Sequence, residues 1–139
     1  MDKRTTAREL AMQALYQLDV QGEVLWESCI DRFLLENSPD DDSVRNLARQ
    51  WARGTWENIS LCDELISGST MKWRMCRLSP VDKSILRLAV YQLKFCPDIP
   101  AKVVINEAIE LAKKFSTAQS PGFVNGVLDA MLKKMQPEI

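Results

Sequence analysis

Three cations open this chain, Lys3, Arg4 and Arg8, and Tyr16 follows two helical turns after Arg8. On a helix, Arg8, Met12 and Tyr16 run along one side, off a face built from Ala7, Leu10, Ala11, Ala14, Leu15 and Leu18. An arginine with an exposed tyrosine suits single-stranded RNA, because phosphates need cations and unstacked bases need an aromatic platform. A solvated helix start with a half-buried tyrosine explains the same residues. Phe123 poses the same choice, since a phenylalanine at the margin of an apolar stripe caps a core or stacks on a base.

Catalytic chemistry finds less support. The 139 residues include no histidine, which removes the commonest general base, and no glycine-rich phosphate loop or nucleophile motif occurs. Glu107 and Glu110 share an ordinary polar helix face. Cys29, Cys62, Cys76 and Cys96 form no C-x-x-C pair, so neither a zinc site nor a disulfide framework is indicated. Reduced thiols packed as small hydrophobes are expected, without metal or cofactor. The chain reads as a non-enzyme.

The formal net charge is −1, which excludes a uniformly basic nucleic-acid binder. That near-zero value hides a segregation. Residues 23–64 carry ten acids against four arginines, a balance of −6, whereas residues 72–87 carry five cations against Asp82 alone, a balance of +4. A local basic face and two solvated surfaces both fit. No apolar run approaches the ~20 residues needed to cross a bilayer, and "MDKRTTAREL" lacks a signal peptide's apolar segment. A soluble, cytoplasmic protein is expected.

The elements that would position these residues are all helical. Thr6 with Glu9 suggests a capping box for the first helix, and Val24 to Leu35 forms a second segment. "SPDDDS" then supplies aspartates for the positive end of a third helix. Val44, Leu47, Ala48, Trp51, Ile59, Cys62 and Ile66 predict that this helix runs unbroken to the break at Ser67–Thr70. One helical turn is expected near Trp73. Ser79-Pro80-Val81-Asp82 reads as N-cap, proline at N1 and acid at N3. The helix from Pro80 to Phe95 is apolar nearly all round, with a narrow polar stripe of Lys83, Arg87 and Lys94, so other helices should surround it. "KVVINEAIELAKKF" gives a fifth helix, with Glu110 and Lys114 in the supportive i,i+4 order.

Ser120-Pro121 starts the last helix, and it contains Asn125-Gly126, a dipeptide typical of hairpin turns. Its flanks recur at helical spacing, through Val124, Val127, Leu128 and Met131. Gly122, Gly126 and Ala130 then fall on one i±4 ridge, which predicts the close approach of a second helix.

The stretches "ARELAMQALYQLD", "KWRMCRLSPVDKSILRLAVYQL" and "DIPAKVVINEAIELAKKFSTAQSPGFVNGVLD" resemble, in order and spacing, hallmark segments of the NusB family of bacterial transcription antitermination factors. The resemblance spans nearly the whole chain and is weakest between residues 21 and 46. It implies an all-α fold of about six to seven helices in one domain, residues 1–139. Within that domain it implies two helical subdomains, about 1–68 and 71–139, which agrees with the break at Ser67–Thr70. It also implies a non-catalytic RNA-binding role. Family members bind boxA, a short single-stranded element of nascent transcripts, notably of rRNA operons. They bind it together with NusE, a small-subunit ribosomal protein, in an RNA polymerase complex that resists termination.

Position by position, the family's basic motif falls on Lys3, Arg4 and Arg8, its RNA-facing tyrosine on Tyr16, and its RNA-facing aromatic on Phe123. The acid associated with the NusE contact falls on Asp82, whose helix-start role accounts for it equally. Where well-known members have consecutive arginines, this chain has Thr5 and Thr6. The thinner basic footprint predicts that NusE supplies much of the RNA surface. Two other readings stay open: a helical module that binds proteins or itself without RNA, and the regulatory domain of an RNA cytosine methyltransferase, for whose cofactor-binding domain 139 residues leave no room. Monomer and homodimer are equally compatible with the sequence.

Overall fold

A computed structural model describes residues 2–22, 25–70 and 78–135. The first helix, α1 (Lys3–Gln21), begins one turn earlier than Thr6 and Glu9 suggest. Asp2 is its N-cap, accepting a hydrogen bond from the Arg4 amide at 3.1 Å. Thr6 lies inside the helix, where its hydroxyl donates to the Asp2 carbonyl. At the other end Gly22 adopts φ 61° and its amide donates to the Leu18 carbonyl, a left-handed cap for which glycine carries no Cβ penalty.

Trp26–Asn37 forms α2; Val24 lies outside the described residues. Asp41 caps α3 (Asp42–Glu57) by accepting from the Ser43 and Val44 amides, as the aspartate run predicts. The long third helix does not run through. It stops at Glu57, and α4 (Ile59–Ser67) starts after Asn58. The Asn58 side chain donates to the Gly54 carbonyl at 2.8 Å, and its amide reaches the same acceptor. Asparagine side chains offer the backbone such local alternatives to helix continuation. The turn expected near Trp73 lies outside the described residues.

The next helix, α5 (Pro80–Phe95), starts as its sequence indicates, with Ser79 Oγ accepting from the Asp82 amide and Pro80 at N1. Ile85, Leu86, Leu88, Ala89 and Val90 are all buried. Around α5 pack α1, α3, α4, α6 (Ala101–Phe115) and α7 (Ser120–Met135), while α2 lies on α1 and α3. The expected polar stripe on α5 is only partly solvated. Lys94 is exposed, but Arg87 is buried and ion-paired with Asp19 and Asp63, and Lys83 pairs with Asp19 at 3.2 Å.

Asn125 and Gly126 lie within continuous α7, so the dipeptide makes no turn. The close approach predicted for its glycine ridge does not occur. A Cβ added at Gly122 or Gly126 would meet nothing within 4 Å, and both residues are exposed. Helix α7 instead packs through Val124, Val127, Leu128 and Met131. Seven helices and no strand make up the described residues. Among them no helix is long and apolar enough to cross a membrane.

Candidate nucleic-acid interface

The start of α1 presents its cations unequally. Lys3 is largely exposed and lies 3.2 Å from Asp41, the cap of α3. Arg4 is exposed and makes no ion pair among the described residues. Tyr16, three turns along, is 37 % exposed and presents its ring on the surface. These three can meet an anionic, base-bearing ligand without rearrangement.

Arg8 cannot, which corrects its placement off the core face. Only 4 % of its side chain is exposed. Nη1 donates to Glu107 Oε1 at 3.0 Å, Nε approaches Gln92 Oε1 at 3.4 Å, and the guanidinium lies 5.1 Å from the Trp51 ring centroid. Burial pulls its pKa below the ordinary arginine value, with the Glu107 charge opposing. Met12 is buried as well. The apolar arc of α1 is wider than the Ala7-to-Leu18 stripe because α2, α3 and α5 pack on it from several sides, and Glu107 of α6 reaches over to Arg8.

Glu107 is correspondingly more than a member of a polar face. Its Oε1 also accepts from Thr5 Oγ1 at 2.7 Å, so two side chains of α1 converge on one carboxylate of α6. A further α1–α6 link joins Lys114 Nζ to Glu9 at 2.9 Å, and Lys113 pairs with Glu110 at 3.4 Å in place of the Glu110–Lys114 pair. These groups line a groove of about 500 Å³ between the two helices, with three cations facing three acids. Thr5 and Thr6, which stand in for arginines, are thus occupied within the chain. Sequence reading missed the role of Glu107 and Lys114 because their partners lie about a hundred residues away.

Phe123 is half-buried in the first turn of α7, beside a smaller groove of about 190 Å³ that Ser79, Asp82, Thr117 and Gln119 also line. Asp82 organises this corner. Its carboxylate accepts from Ser116 Oγ at 2.7 Å and Ser120 Oγ at 3.1 Å, placing an anion at the positive end of α7. Asp82 therefore serves two helix ends at once: its backbone amide donates to Ser79 Oγ in the first turn of α5, and its carboxylate fixes the start of α7 that carries Phe123.

The basic stretch 72–87 forms no free cationic face in the parts described. Lys72, Arg74, Arg77 and Cys76 lie outside the described residues, and Lys83 and Arg87 are turned to acids. Cys29, Cys62 and Cys96 are free, buried thiols. Burial pushes the Cys62 thiol up to about 12, which keeps it protonated and unreactive. No group of three metal-ligating side chains occurs among the described residues.

Known proteins share both sequence and shape with this chain. The transcription antitermination protein NusB of Anaeromyxobacter sp. (strain Fw109-5) is 44% identical over 136 residues, spanning 98% of this chain and 94% of the relative. The NusB protein of Bacillus thuringiensis (strain Al Hakam) is 45% identical over 126 residues, 91% and 94% of the two chains. Among solved structures, T. maritima NusB superposes with a TM-score of 0.85 at 38% identity, covering 100% of this chain and 99% of that one. A chain of the crystal structure of antitermination factors NusB and NusE in complex with dsRNA superposes at 0.86 and 27% identity, over 96% and 98%. The profile of the NusB family matches residues 5–133, and the chain belongs to that family.

Proposed function

We propose that this protein is a non-catalytic transcription antitermination factor of the cytoplasm. In this reading it binds boxA-type single-stranded RNA together with NusE and supports rRNA transcription within an RNA polymerase complex. The observation that carries the reading is the near-complete superposition on a chain from a complex of NusB and NusE with dsRNA, at a TM-score of 0.86; the single-stranded preference is this proposal's own. The surface is compatible: Lys3 and Arg4 offer charge, Tyr16 offers a ring, and Phe123 stands at the margin of α7. Lys3, Arg4, Tyr16 and Phe123 are assigned to the RNA and Asp82 to the NusE side. Arg8 belongs to the same region of α1.

The test is fluorescence anisotropy of a short boxA RNA and a scrambled control, titrated with the protein in the presence and absence of NusE. Tighter, sequence-selective binding with NusE is expected, and Tyr16→Ala should weaken it while helical circular dichroism stays intact. A folded protein that binds neither RNA, with or without NusE, would overturn the assignment and leave a protein-binding helical module.

A further inference from the structure

We propose that Arg8 is a positioning residue for the RNA surface and not a phosphate contact, an inference that rests on the RNA-binding reading above. The guanidinium holds α1 against α6, and so sets where Arg4 and Tyr16 stand relative to Phe123.

The geometry carries this in three steps. First, the donors are inaccessible. Nη1 and Nε are turned to Glu107 and Gln92, and Nη2 is buried without a hydrogen-bond partner of its own. A phosphate oxygen needs a donor within about 3 Å; with 4 % of the side chain exposed, two donors already engaged and the third buried, Arg8 has little to offer one. Second, the charge is already matched. A cation 3.0 Å from a carboxylate projects a dipole outward, and that field falls faster with distance than that of the unpaired Arg4. Leaving this pocket would strand Glu107 and uncover Trp51, a cost that a solvated phosphate contact does not recover.

Third, the contact sits where two candidate RNA walls are joined. Arg8 and Thr5 both donate to Glu107 Oε1, and Glu9 takes Lys114 on the same flank. Arg4 lies immediately before Thr5, and Tyr16 two turns beyond Arg8. On the far side α6 packs on α7, whose first turn carries Phe123. A change in the α1–α6 spacing therefore moves the Tyr16 ring relative to the Phe123 ring. Binding that uses both must feel it.

The experiment measures boxA RNA affinity of this 139-residue chain with NusE across a salt series. It compares wild type with Arg4→Ala, Arg8→Met, Arg8→Lys, Glu107→Gln and the Arg8→Met/Glu107→Gln pair. Arg4→Ala calibrates a true phosphate contact and should flatten the slope of log K against log salt by about 0.7. Arg8→Met and Glu107→Gln should each weaken binding about tenfold with the slope unchanged, and the double variant should lose no more than the worse single one. Arg8→Lys should not rescue, because an ammonium lacks the planar fork that reaches Glu107 and stacks on Trp51.

Glu107→Gln decides the matter by sign. Were Arg8 a phosphate contact restrained by Glu107, removing that acid would tighten binding. Tightening by Glu107→Gln, a slope loss of about 0.7 in Arg8→Met, or rescue by Arg8→Lys overturns the proposal, as does unchanged affinity in both single variants. If circular dichroism shows Arg8→Met unfolded, Glu107→Gln and Thr5→Val carry the same comparison. Absence of binding by wild type overturns the RNA-binding assignment itself, which is a different result from any of these.

Discussion

Arg87 on α5 grips Asp63 on α4 through two parallel hydrogen bonds, Nε to Oδ1 at 2.7 Å and Nη2 to Oδ2 at 2.9 Å. Its remaining nitrogen, Nη1, donates to Asp19 of α1 at 2.9 Å, and Trp56 of α3 lies 5.9 Å from the guanidinium. One side chain of α5 thus ties α1 to α4 and borders α3. Burial alone would lower its pKa, but the bonds to Asp63 and Asp19 outweigh that and hold it above the ordinary value.

Removing one member of a buried pair leaves the other charge unmatched, at a cost of about 3–5 kcal/mol. Arg87→Met should therefore lower stability by about 3 kcal/mol, toward the low end because Asp63 is partly solvated. Arg87→Lys should recover only part, since an ammonium cannot make the two-pronged contact. Urea denaturation at neutral pH measures both.

Gly54 and Tyr91 form a second obligatory contact. A Cβ at Gly54 would overlap the Oη and Cζ atoms of Tyr91, whose ring also stacks on Phe95 at 5.5 Å. Overpacking of this kind costs about 1–3 kcal/mol, so Gly54→Ala should destabilise by that amount. In a Tyr91→Ala background the overlap is gone, and the same substitution should become stabilising by about 0.5–1 kcal/mol through helix propensity. A thermal-denaturation double-mutant cycle reads the reversal.

Local signals were legible in the sequence and distant ones were not. Ser79-Pro80-Val81-Asp82 and the Asp41 cap act within one turn, so residue type alone indicates them. The helical periodicity around Asn125-Gly126 outweighs a turn dipeptide because four apolar residues of α7 reach the core. The break at Asn58 was missed, because apolar spacing continues across it while one asparagine side chain captures the Gly54 carbonyl. The burial of Arg8 escapes the sequence for a different reason. Whether an arginine at a helix margin is solvated depends on what packs beside it, and Glu107 lies ninety-nine positions away. The open glycine ridge of α7 shares that cause, since small residues permit a neighbour without supplying one.

Acid should weaken the tie between α1 and α3. Ser43 first, and Lys3 next, hold the Asp41 carboxyl down to about 2 from its ordinary 3.8. A depressed folded-state value means that the stabilisation is complete above pH about 4 and is lost as pH falls toward about 2. Asp41→Asn should flatten that acid limb of the stability profile, with a smaller change at neutral pH because asparagine also caps helices. Urea midpoints taken across this pH range, at low and moderate salt, test it, and salt should reduce the Lys3 share alone.

The protein by itself should show a shallow salt dependence on single-stranded RNA. Three phosphate contacts at Lys3, Arg4 and Arg8 would give a slope of about −2, at ~0.7 per contact. With Arg8 buried, two cations remain, and the expected slope of log K against log salt is about −1.4. NusE should steepen it by adding its own cations. Anisotropy titrations at several salt concentrations, with each protein composition, separate the two values.

Gly126 should prove dispensable for folding. A glycine in a helix interior costs about 0.5–1 kcal/mol relative to alanine, unless a neighbour needs the space. Here a Cβ would meet nothing within 4 Å, and Gly122 one turn earlier is equally open. Gly126→Ala should therefore raise stability by about 0.5–1 kcal/mol in urea denaturation. Had a second helix lain along the ridge, the same change would have forced the two apart and lowered stability. RNA affinity with NusE, measured on the same variant, adds a second readout. Raised stability with unchanged affinity confines the ridge to solvent, whereas raised stability with weakened binding places the RNA or NusE against it.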